Sequence, residues 1–437
     1  MFDAGALLVL VSELTSARGL ATHVRARWPA WLSIATLLAS YAAQLAVLAY
    51  AVHHQAQQSP NAFLPLPLTG AVTTNQNAVT AAMLALAALQ TYALLQLYRA
   101  GAPPRAVVAG SAVLLVLSLL SPAMISADAY AYVADALLGR LAYAPPAAPF
   151  GGEYAVIGAW WKPLPPTPYG PLWLASAWLV TAPFASLLGK IAALRGLGAA
   201  AFVALPLLLR ALGLPPRIVA IAALNPALAF EFVAGAHNDL FGIVLLLAAA
   251  FFARRRPAVA ALLLVAGALV KLPFAILGLP ALAALRSRAA RVAACVCIPA
   301  AAFALSWLAG GAGFVAAMRP HLATSAAMAV LTSLVAAVVL AASIAAVFRA
   351  RRLRAMSLLA PLASAYSLAW YVAWGLPYAS GRRTTAAYLL LAFPLAAMLL
   401  EVKFMTPWTL FAVVPAIFAW QILAVRAGSA RRPRHST

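Results

Sequence analysis

Residues 218–252 read IVAIAALNPALAFEFVAGAHNDLFGIVLLLAAAFF, two apolar runs interrupted by a His-Asn-Asp triplet at 237–239. Each run has the composition of a membrane helix, and three arginines at 254–256 follow the second run. The first run contains an Asn-Pro break at 225–226. A helix broken inside a bilayer is tolerated only where protein or a water-filled cavity satisfies the freed backbone groups. This stretch therefore predicts a membrane-helix bundle built around a polar site.

The composition of the whole chain agrees with this prediction. The 437 residues are 65% hydrophobic and only 9% charged, and the mean hydropathy is +0.95. Soluble domains carry about 25% charged residues, so this chain has too little charge to cover a surface in water. A soluble enzyme and a disordered scaffold are excluded. At about 20 residues per span, the apolar runs predict an all-α polytopic membrane protein with about 12–14 membrane helices.

The net charge of +22 comes largely from short arginine clusters between the apolar runs, as at 254–256 and 286–291. Such clusters are typical of cytoplasmic loops. A basic groove with interleaved aromatic residues is absent from the sequence, so we expect membrane lipid and no nucleic acid as a partner. Basic residues at 18–27 and 99–105 flank the first two spans and place the N-terminus in the cytoplasm. Residues 126–170 then lie outside.

We expect one integral-membrane domain, 1–437, in four parts. They are N-terminal spans (1–125), an external catalytic loop with short helices (126–170), core spans with the site motifs (171–285), and C-terminal spans with a basic tail (286–437).

Successive membrane spans should begin on alternate sides of the membrane. This alternation fails in the core spans, which are predicted at 171–188, 191–209 and 218–234. Counting crossings puts the triplet 237–239 inside, whereas the arginines at 254–256 put it outside. One segment between 171 and 236 is therefore a half-span or a re-entrant piece.

Acidic residues are scarce, and five of the eight lie between 128 and 239. An ionisable group at membrane depth is costly and indicates function. Asp128 and Asp135 are seven residues apart and share one helix face with Tyr132, so they could present two carboxylates and a phenol to a cavity. The alternatives are a helix N-cap for Asp128 and an exposed surface acid for Asp135.

Further polar residues fall at the ends of apolar runs. Tyr169 ends a proline-rich loop directly before a span, which predicts a rigid turn at the membrane. Glu231 lies within an apolar run, and His237, Asn238 and Asp239 open the next helix. These groups could orient a sugar or ligate a divalent cation, although His237 and Asp239 alone are too few for a metal site. A helix N-cap is the alternative for Asn238 or Asp239.

Two cations are candidates for binding an anion. Lys271 lies in an otherwise apolar stretch, where a lysine is costly unless it reaches the interface or meets an anion such as phosphate. Arg383 follows an aromatic stretch at 370–378 and is a second candidate. The alternative for Arg383 is that it only sets the membrane topology.

These elements, in this order, resemble the GT-C superfamily of integral-membrane glycosyltransferases. The nearest group is the bacterial polyprenyl-phosphate-mannose-dependent α-mannosyltransferases. The similar segments are 128–132, 139–143, 169–171, 225–239, 271–273 and 370–377. One segment departs from the family, which often reads Asn-Pro-Tyr where this chain has Tyr-Ala-Pro at 143–145.

The resemblance implies a GT-C fold in the bacterial inner membrane with the active site on the external, periplasmic face. It also implies transfer of a sugar, here mannose, from a polyprenyl-phosphate donor to a hydroxyl of a glycan or lipid-linked glycan. The acidic residue of the family's first large external loop corresponds to Asp128.

Inverting displacement of a polyprenyl phosphate needs a carboxylate base at the acceptor hydroxyl and cations at the leaving phosphate. We predict Asp128 as the base and Lys271 and Arg383 as ligands of the donor phosphate. The predicted substrate-binding residues are Tyr132, Asp135, Tyr169, Glu231, His237, Asn238 and Asp239. The sequence specifies no cofactor and leaves a divalent cation open.

The alternative class of function is a transporter or flippase for a lipid-linked or polar substrate. Such a protein would share the broken helices and the intramembrane charges. Transporters usually show two similar halves, whereas the acidic residues here are concentrated in about a quarter of the chain. The large proline-rich and aromatic loop also favours an enzyme.

Overall fold

The computed structural model describes residues 28–53, 66–67, 76–124, 126–146, 150–160, 164–285, 287–318, 326–348, 360, 369–379 and 383–401. These ranges are almost entirely helical, which confirms an all-α polytopic membrane protein. The sheet found there is one parallel pair of two-residue strands, β1 (Leu66–Pro67) and β2 (Ala123–Met124).

The helices in chain order are α1 (Ala30–His53), α2 (Gln76–Ala100), α3 (Pro104–Leu119), α4 (Asp128–Leu138), α5 (Ala155–Trp160), α6 (Pro171–Thr181), α7 (Leu187–Ala211), α8 (Pro216–Ala223), α9 (Pro226–Ala229), α10 (Asp239–Phe252), α11 (Pro257–Val270), α12 (Phe274–Leu277), α13 (Arg288–Ala317), α14 (Ala326–Phe348), α15 (Leu376–Ala379) and α16 (Arg383–Glu401). Short 3-10 segments cover Gly139–Tyr143, Gly152–Tyr154, Leu279–Ala284 and Ala369–Gly375, and Phe230–Ala234 is π-helical.

Fewer helices reach full membrane length than the sequence predicts. Within the described ranges, α1, α2, α7 and α13 are long and apolar enough to cross a membrane. A fifth span results if α8 and the bent segment that follows it are counted together. The expected 12–14 spans therefore exceed the full-length helices found there. Several predicted spans are instead apolar helices of 10–17 residues, among them α3, α6, α10 and α11.

α6 is one candidate for the segment that breaks the alternation of sides. The predicted span 171–188 contains α6, which has only 11 residues. The start of α7 then lies beside the loop that precedes α6: the Leu187 N–H donates to a Glu153 carboxylate oxygen at 3.1 Å. The Tyr154 hydroxyl also donates to the carbonyl of Ala185. The end of the turn after α6 thus lies close to the loop that precedes α6. The bent pair of α8 and residues 226–234 is a second candidate for a broken span or re-entrant piece.

The polar motifs and the basic loops lie at opposite ends of the core helices. α10 begins at Asp239 and α11 ends at Val270, and the arginines at 254–256 join their other ends. Fourteen residues of helix extend about 21 Å. Elsewhere, the loops 100–103 and 215–217, which carry Arg217, meet and line a cavity of about 520 Å³. None of the acidic residues lines this cavity.

Candidate active site

Three departures from regular helix shape the segment that carries Glu231 and His237. α9 begins after Asn225, whose side-chain oxygen accepts the N–H of Ala227 at 3.2 Å. Residues 230–234 form a π-helical turn, which leaves Glu231 on a widened helix. Ala236 then adopts a φ of 56°, a left-handed conformation that is uncommon for a residue with a side chain. The chain reverses as a result, and the N–H of His237 donates to the carbonyl of Glu231.

The imidazole of His237 lies between two carboxylates. Its Nδ1 is 3.2 Å from Oδ2 of Asp128, and its Nε2 is 3.7 Å from Oε2 of Glu231. The side chains of His237 and Glu231 are fully buried, whereas 20% of the Asp128 side chain is exposed. Asp128 is therefore the member of this row that a soluble or lipid-borne hydroxyl can reach.

The environment of Asp128 favours its charged form. Burial alone would raise the pKa of this carboxyl. The hydrogen bond and charge of His237, together with the charge of Lys271 and a hydrogen bond from Ser126, lower the pKa below its ordinary value. Asp128 is consequently a carboxylate at neutral pH and can accept a proton.

A second buried group surrounds Lys271. Its Nζ lies 3.1 Å from Oδ1 of Asp239 and donates to the Tyr371 hydroxyl at 2.8 Å. The indole N–H of Trp374 donates to the same Asp239 oxygen at 2.8 Å. The ammonium also lies 4.5 to 5.6 Å from the ring centres of Tyr169, Tyr371 and Trp374, where cation–π attraction stabilises it. These hydrogen bonds use two of the three ammonium donors.

Tyr132 links the two groups. Burial and the charges of Asp128 and Asp239 raise its pKa well above the ordinary value, so the phenol lies near both carboxylates. Its hydroxyl accepts a hydrogen bond from the Tyr169 hydroxyl at 3.4 Å and bonds the backbone of Asn238. Asp128 and Asp239 therefore face one common site from two different helices.

A close backbone contact brings Tyr169 to Lys271. The two residues form an isolated antiparallel bridge, and the N–H of Gly170 donates to the Val270 carbonyl at 3.1 Å. A Cβ atom on Gly170 would lie 2.1 Å from the carbonyl oxygen of Leu269. Only glycine fits there, which explains the Tyr-Gly-Pro sequence at 169–171.

Neither Asp128 nor Asp239 is the N-cap residue of its helix, so the alternative role of helix capping does not apply to these acids. Asp128 is the first residue of α4 and Ala127 is its N-cap, so Asp128 contacts His237 instead of capping. Asn238 occupies the N-cap position of α10, but its side chain makes no capping hydrogen bond. The Asn238 amide is buried, and neither of its polar atoms has a hydrogen-bond partner in the described ranges.

Asp135 and Arg383 take no part in the ion pairs found among the described residues. Asp135 is buried, and its Oδ2 accepts a hydrogen bond from the Thr167 hydroxyl at 2.8 Å. This differs from the expectation that both carboxylates of α4 open into one cavity, because Thr167 of the following loop covers Asp135. Burial, opposed by the Thr167 bond and reinforced by the charge of Asp128, raises the pKa of Asp135 to about 7. Arg383 is exposed at the first residue of α16.

Residues 31–290 match a family model described as alpha-(1->6)-mannopyranosyltransferase, N-terminal domain. The match covers more than half of the 437 residues and includes the Asp128–His237 contact and the Lys271–Asp239 pair. The chain belongs to this family. No curated protein and no solved structure matches it. Membership confirms the expected membrane mannosyltransferase, a glycosyltransferase that uses a sugar donor and a glycan acceptor.

A metal site in this mannosyltransferase would require several closely grouped ligands. In the described ranges, no group of three or more His, Cys, Asp or Glu side chains could hold a metal ion. His237 contacts carboxylates, and Asp239 contacts an ammonium and an indole.

Sequence reasoning missed several residues that hold the site of the mannosyltransferase together. Tyr371 and Trp374 belong to the aromatic stretch 370–378, but their partners, Lys271 and Asp239, are distant in sequence. Thr167 gave no signal within its proline-rich loop. Arg195 did give one, because a lone arginine inside the apolar run 191–209 is costly in a membrane and indicates a function.

Proposed function

We propose that this mannosyltransferase moves mannose from a polyprenyl-phosphate donor to a hydroxyl of a glycan or lipid-linked glycan, with inversion. Family membership supports mannosyl transfer, and the donor, the acceptor and the inversion are our proposal. We expect the α-(1→6) linkage that appears in the family description. The observation that carries the proposal is the contact of the accessible Asp128 with His237, beside the buried Lys271–Asp239 pair.

Asp128 acts as the general base in this proposal. Its carboxylate takes the proton of the acceptor hydroxyl while the hydroxyl oxygen forms a bond to the sugar C1. The bond between C1 and the phosphate oxygen breaks, and polyprenyl phosphate leaves with the bonding electron pair. A positioned base contributes about 10²–10⁴-fold to the rate. His237 holds the Asp128 carboxylate in place, and its own position depends on the turn at Ala236.

Lys271 binds the leaving phosphate. Two of its three N–H donors are used by Asp239 and Tyr371, so one remains for a phosphate oxygen. The Asp239 carboxylate reduces the cost of burying the ammonium before the donor arrives. Arg383 is exposed at the start of α16 and is the second phosphate ligand in the proposal. Phosphate is a good leaving group, so no general acid is required.

The membrane geometry supports a lipid-borne donor and an external site in the bacterial inner membrane. The arginine loop 254–256 lies at the far end of α10 and α11 from Asp239 and Lys271. Basic loops favour the cytoplasm, so the site faces the other side. The length of these helices, about 21 Å, is shorter than a hydrocarbon core of about 30 Å. We propose that the site lies near the outer membrane interface, where the phosphate of a lipid-linked donor is located.

A transfer assay with the full-length protein in lipid nanodiscs tests the proposal. The wild type, given radiolabelled polyprenyl-phosphate mannose and glycolipid acceptors, should place label in a new product. Asp128→Asn should reduce transfer at least about 100-fold, since it removes the base. Glu153→Gln is the matched control, because Glu153 is exposed and glutamine retains an oxygen for the Leu187 N–H.

Two outcomes would contradict the proposal. Full transfer by Asp128→Asn would remove Asp128 from the role of base. Passage of the labelled lipid across a vesicle bilayer without a new product would favour a flippase instead.

A further inference from the structure

Arg195 is a buried cation in α7 that binds backbone carbonyls instead of a carboxylate. It is 2% exposed, and it takes no part in the ion pairs found among the described residues. Its Nε donates to the carbonyl of Ala234 at 3.0 Å, and its Nη1 donates to the carbonyl of Ser121 at 2.7 Å. Longer contacts of 3.2 Å and 3.5 Å join it to the carbonyls of Leu119 and Ala123. One guanidinium thus binds two chain segments that are distant in sequence.

Each of these segments leads directly into the site. Ser121 and Ala123 lie just before Asp128, and Ala234 lies just before His237. The side chains that follow the two anchored segments are those that meet at 3.2 Å. α7 also approaches the second segment closely, because a Cβ on Gly198 would lie 1.9 Å from the carbonyl oxygen of Phe232.

We propose that Arg195 is a positioning residue for mannosyl transfer, whose guanidinium holds the segments before Asp128 and His237 in the register that brings these side chains together. The inference rests on the role of Asp128 proposed above. A buried cation without a carboxylate partner is costly, and the planar fork of arginine reaches carbonyls on both segments at once. A lysine ammonium at the same position is a point donor and cannot span both segments.

A pH profile of transfer depends on the charged and titratable groups around Arg195 and around Asp128. The guanidinium faces the phenols of Tyr41 on α1 and Tyr130 on α4. Asp128 faces His237, with Glu231 beyond it, and its other charged or titratable neighbours are Lys271, Asp135 and the phenol of Tyr132. Asp239 is in turn a neighbour of Tyr132. Of these, His237 follows directly on a segment that Arg195 anchors.

The first test compares Arg195→Lys with Lys190→Gln in the full-length protein. Lys190 is a buried cation on the same helix that binds only the Thr181 carbonyl, so it is a matched control outside the site. Arg195→Lys should lower kcat about 10–100-fold with little change in KM for the donor, because the base is displaced from its productive geometry. The acid limb of the kcat profile should move up by about one pH unit as the His237 contact weakens. Lys190→Gln should leave that limb in place.

A merely structural role predicts a different result. In that case Arg195→Lys lowers only the amount of folded protein, and the kcat and acid limb of the folded fraction stay as in the wild type. That outcome overturns the inference. A second readout is a double-mutant cycle: His237→Gln should have a smaller effect on the acid limb in the Arg195→Lys background than in the wild type. Full additivity overturns the inference as well.

Hydrogen exchange without substrate separates this inference from the proposed function. Amides in 121–128 and 234–239 should exchange faster in Arg195→Lys than in Lys190→Gln. Unchanged exchange overturns the inference even if Asp128→Asn abolishes transfer. Faster exchange in Arg195→Lys, combined with no mannosyl transfer by the wild type, overturns the proposed function but supports the anchoring of the two segments by Arg195.

Gly198→Ala serves if Arg195→Lys fails to accumulate in membranes. Its methyl group must displace the Phe232 carbonyl, so the second segment shifts relative to α7. The acid limb should then rise as in Arg195→Lys, and an unmoved limb overturns the inference.

Discussion

Nδ1 of His237 lies 3.2 Å from Oδ2 of Asp128, although the two residues belong to segments distant in sequence and only Asp128 is partly exposed. The contact joins the helix after β2 to the turn before α10. It makes an accessible carboxylate the outer end of a buried row that continues to Glu231. A general base must be accessible to the acceptor hydroxyl and must also be held in one orientation. The partial exposure of Asp128 provides the first, and its contact with His237 provides the second.

Replacement of His237 by glutamine should weaken the base without removing it. The hydrogen bond and charge of His237 lower the pKa of Asp128 against the effect of burial. Without them the pKa of Asp128 rises, so the acid limb of kcat/KM should move to higher pH. We expect about 10–100-fold lower activity at neutral pH. A pH–rate profile measures both effects, and an unmoved acid limb would show that His237 does not act on Asp128.

The Lys271–Asp239 pair should show strong non-additivity in stability. Lys271→Met leaves the buried Asp239 without its ammonium partner, and Asp239→Asn leaves the ammonium without its carboxylate. Each single change should cost about 3–5 kcal/mol, whereas the double variant should recover much of that loss. Thermal unfolding in detergent measures the cycle. Simple addition of the two losses would argue against a coupled pair. Transfer should stay low in the double variant, because no cation remains at that position for the phosphate.

Gly170→Ala should disrupt the contact between Tyr169 and Lys271. The added Cβ would lie 2.1 Å from the Leu269 carbonyl oxygen, so one of the two backbones must move. We expect a lower melting temperature and reduced transfer. Gly196→Ala is the control, since a Cβ there meets no atom within 4 Å and alanine favours a helix. Equal melting temperatures for the two variants would contradict the close approach.

Asp135 should make stability depend on pH. Its pKa is raised from 3.8 to about 7, so the folded state favours the protonated acid. The stabilisation from the protonated acid is fully present below about pH 4 and is lost as pH rises through about 7. The total loss of folding free energy over this range is a few kcal/mol. Relative to Asp135→Asn, the wild type should therefore lose melting temperature between about pH 4 and 7. Asparagine keeps an oxygen for Thr167 and has no proton to lose. Parallel curves for both proteins would contradict the assignment.

Patterns along the chain predicted the helical class and many of the polar positions of the site. The scarcity of acid drew attention to Asp128, Glu231 and Asp239, and the lone Lys271 called for an anion. The anion proved to be Asp239, a residue already predicted for the site. Pairing between these positions could not be predicted, because each is separated from its partner by one or more helices.

The same limit applies to the membrane crossings. Arginine clusters indicated that one segment between 171 and 236 does not cross, since charge resists translocation whatever the helix boundaries are. Only the tertiary structure brings the loop at Glu153 to the start of α7, and this contact makes α6 a candidate for that segment. Hydropathy alone could not distinguish an apolar helix of 11 residues with a following turn from a full span.

The sequence by itself determined that this protein lies in a membrane, since composition and charge act through solvation. It also predicted that the few acids mark the site and that the basic loops lie opposite it. Only the tertiary structure decided that Asp128 meets His237, that Thr167 covers Asp135, and that Arg195 anchors two segments. These contacts depend on how the helices pack and on where their side chains point. The spacing of residues along one helix does not specify either.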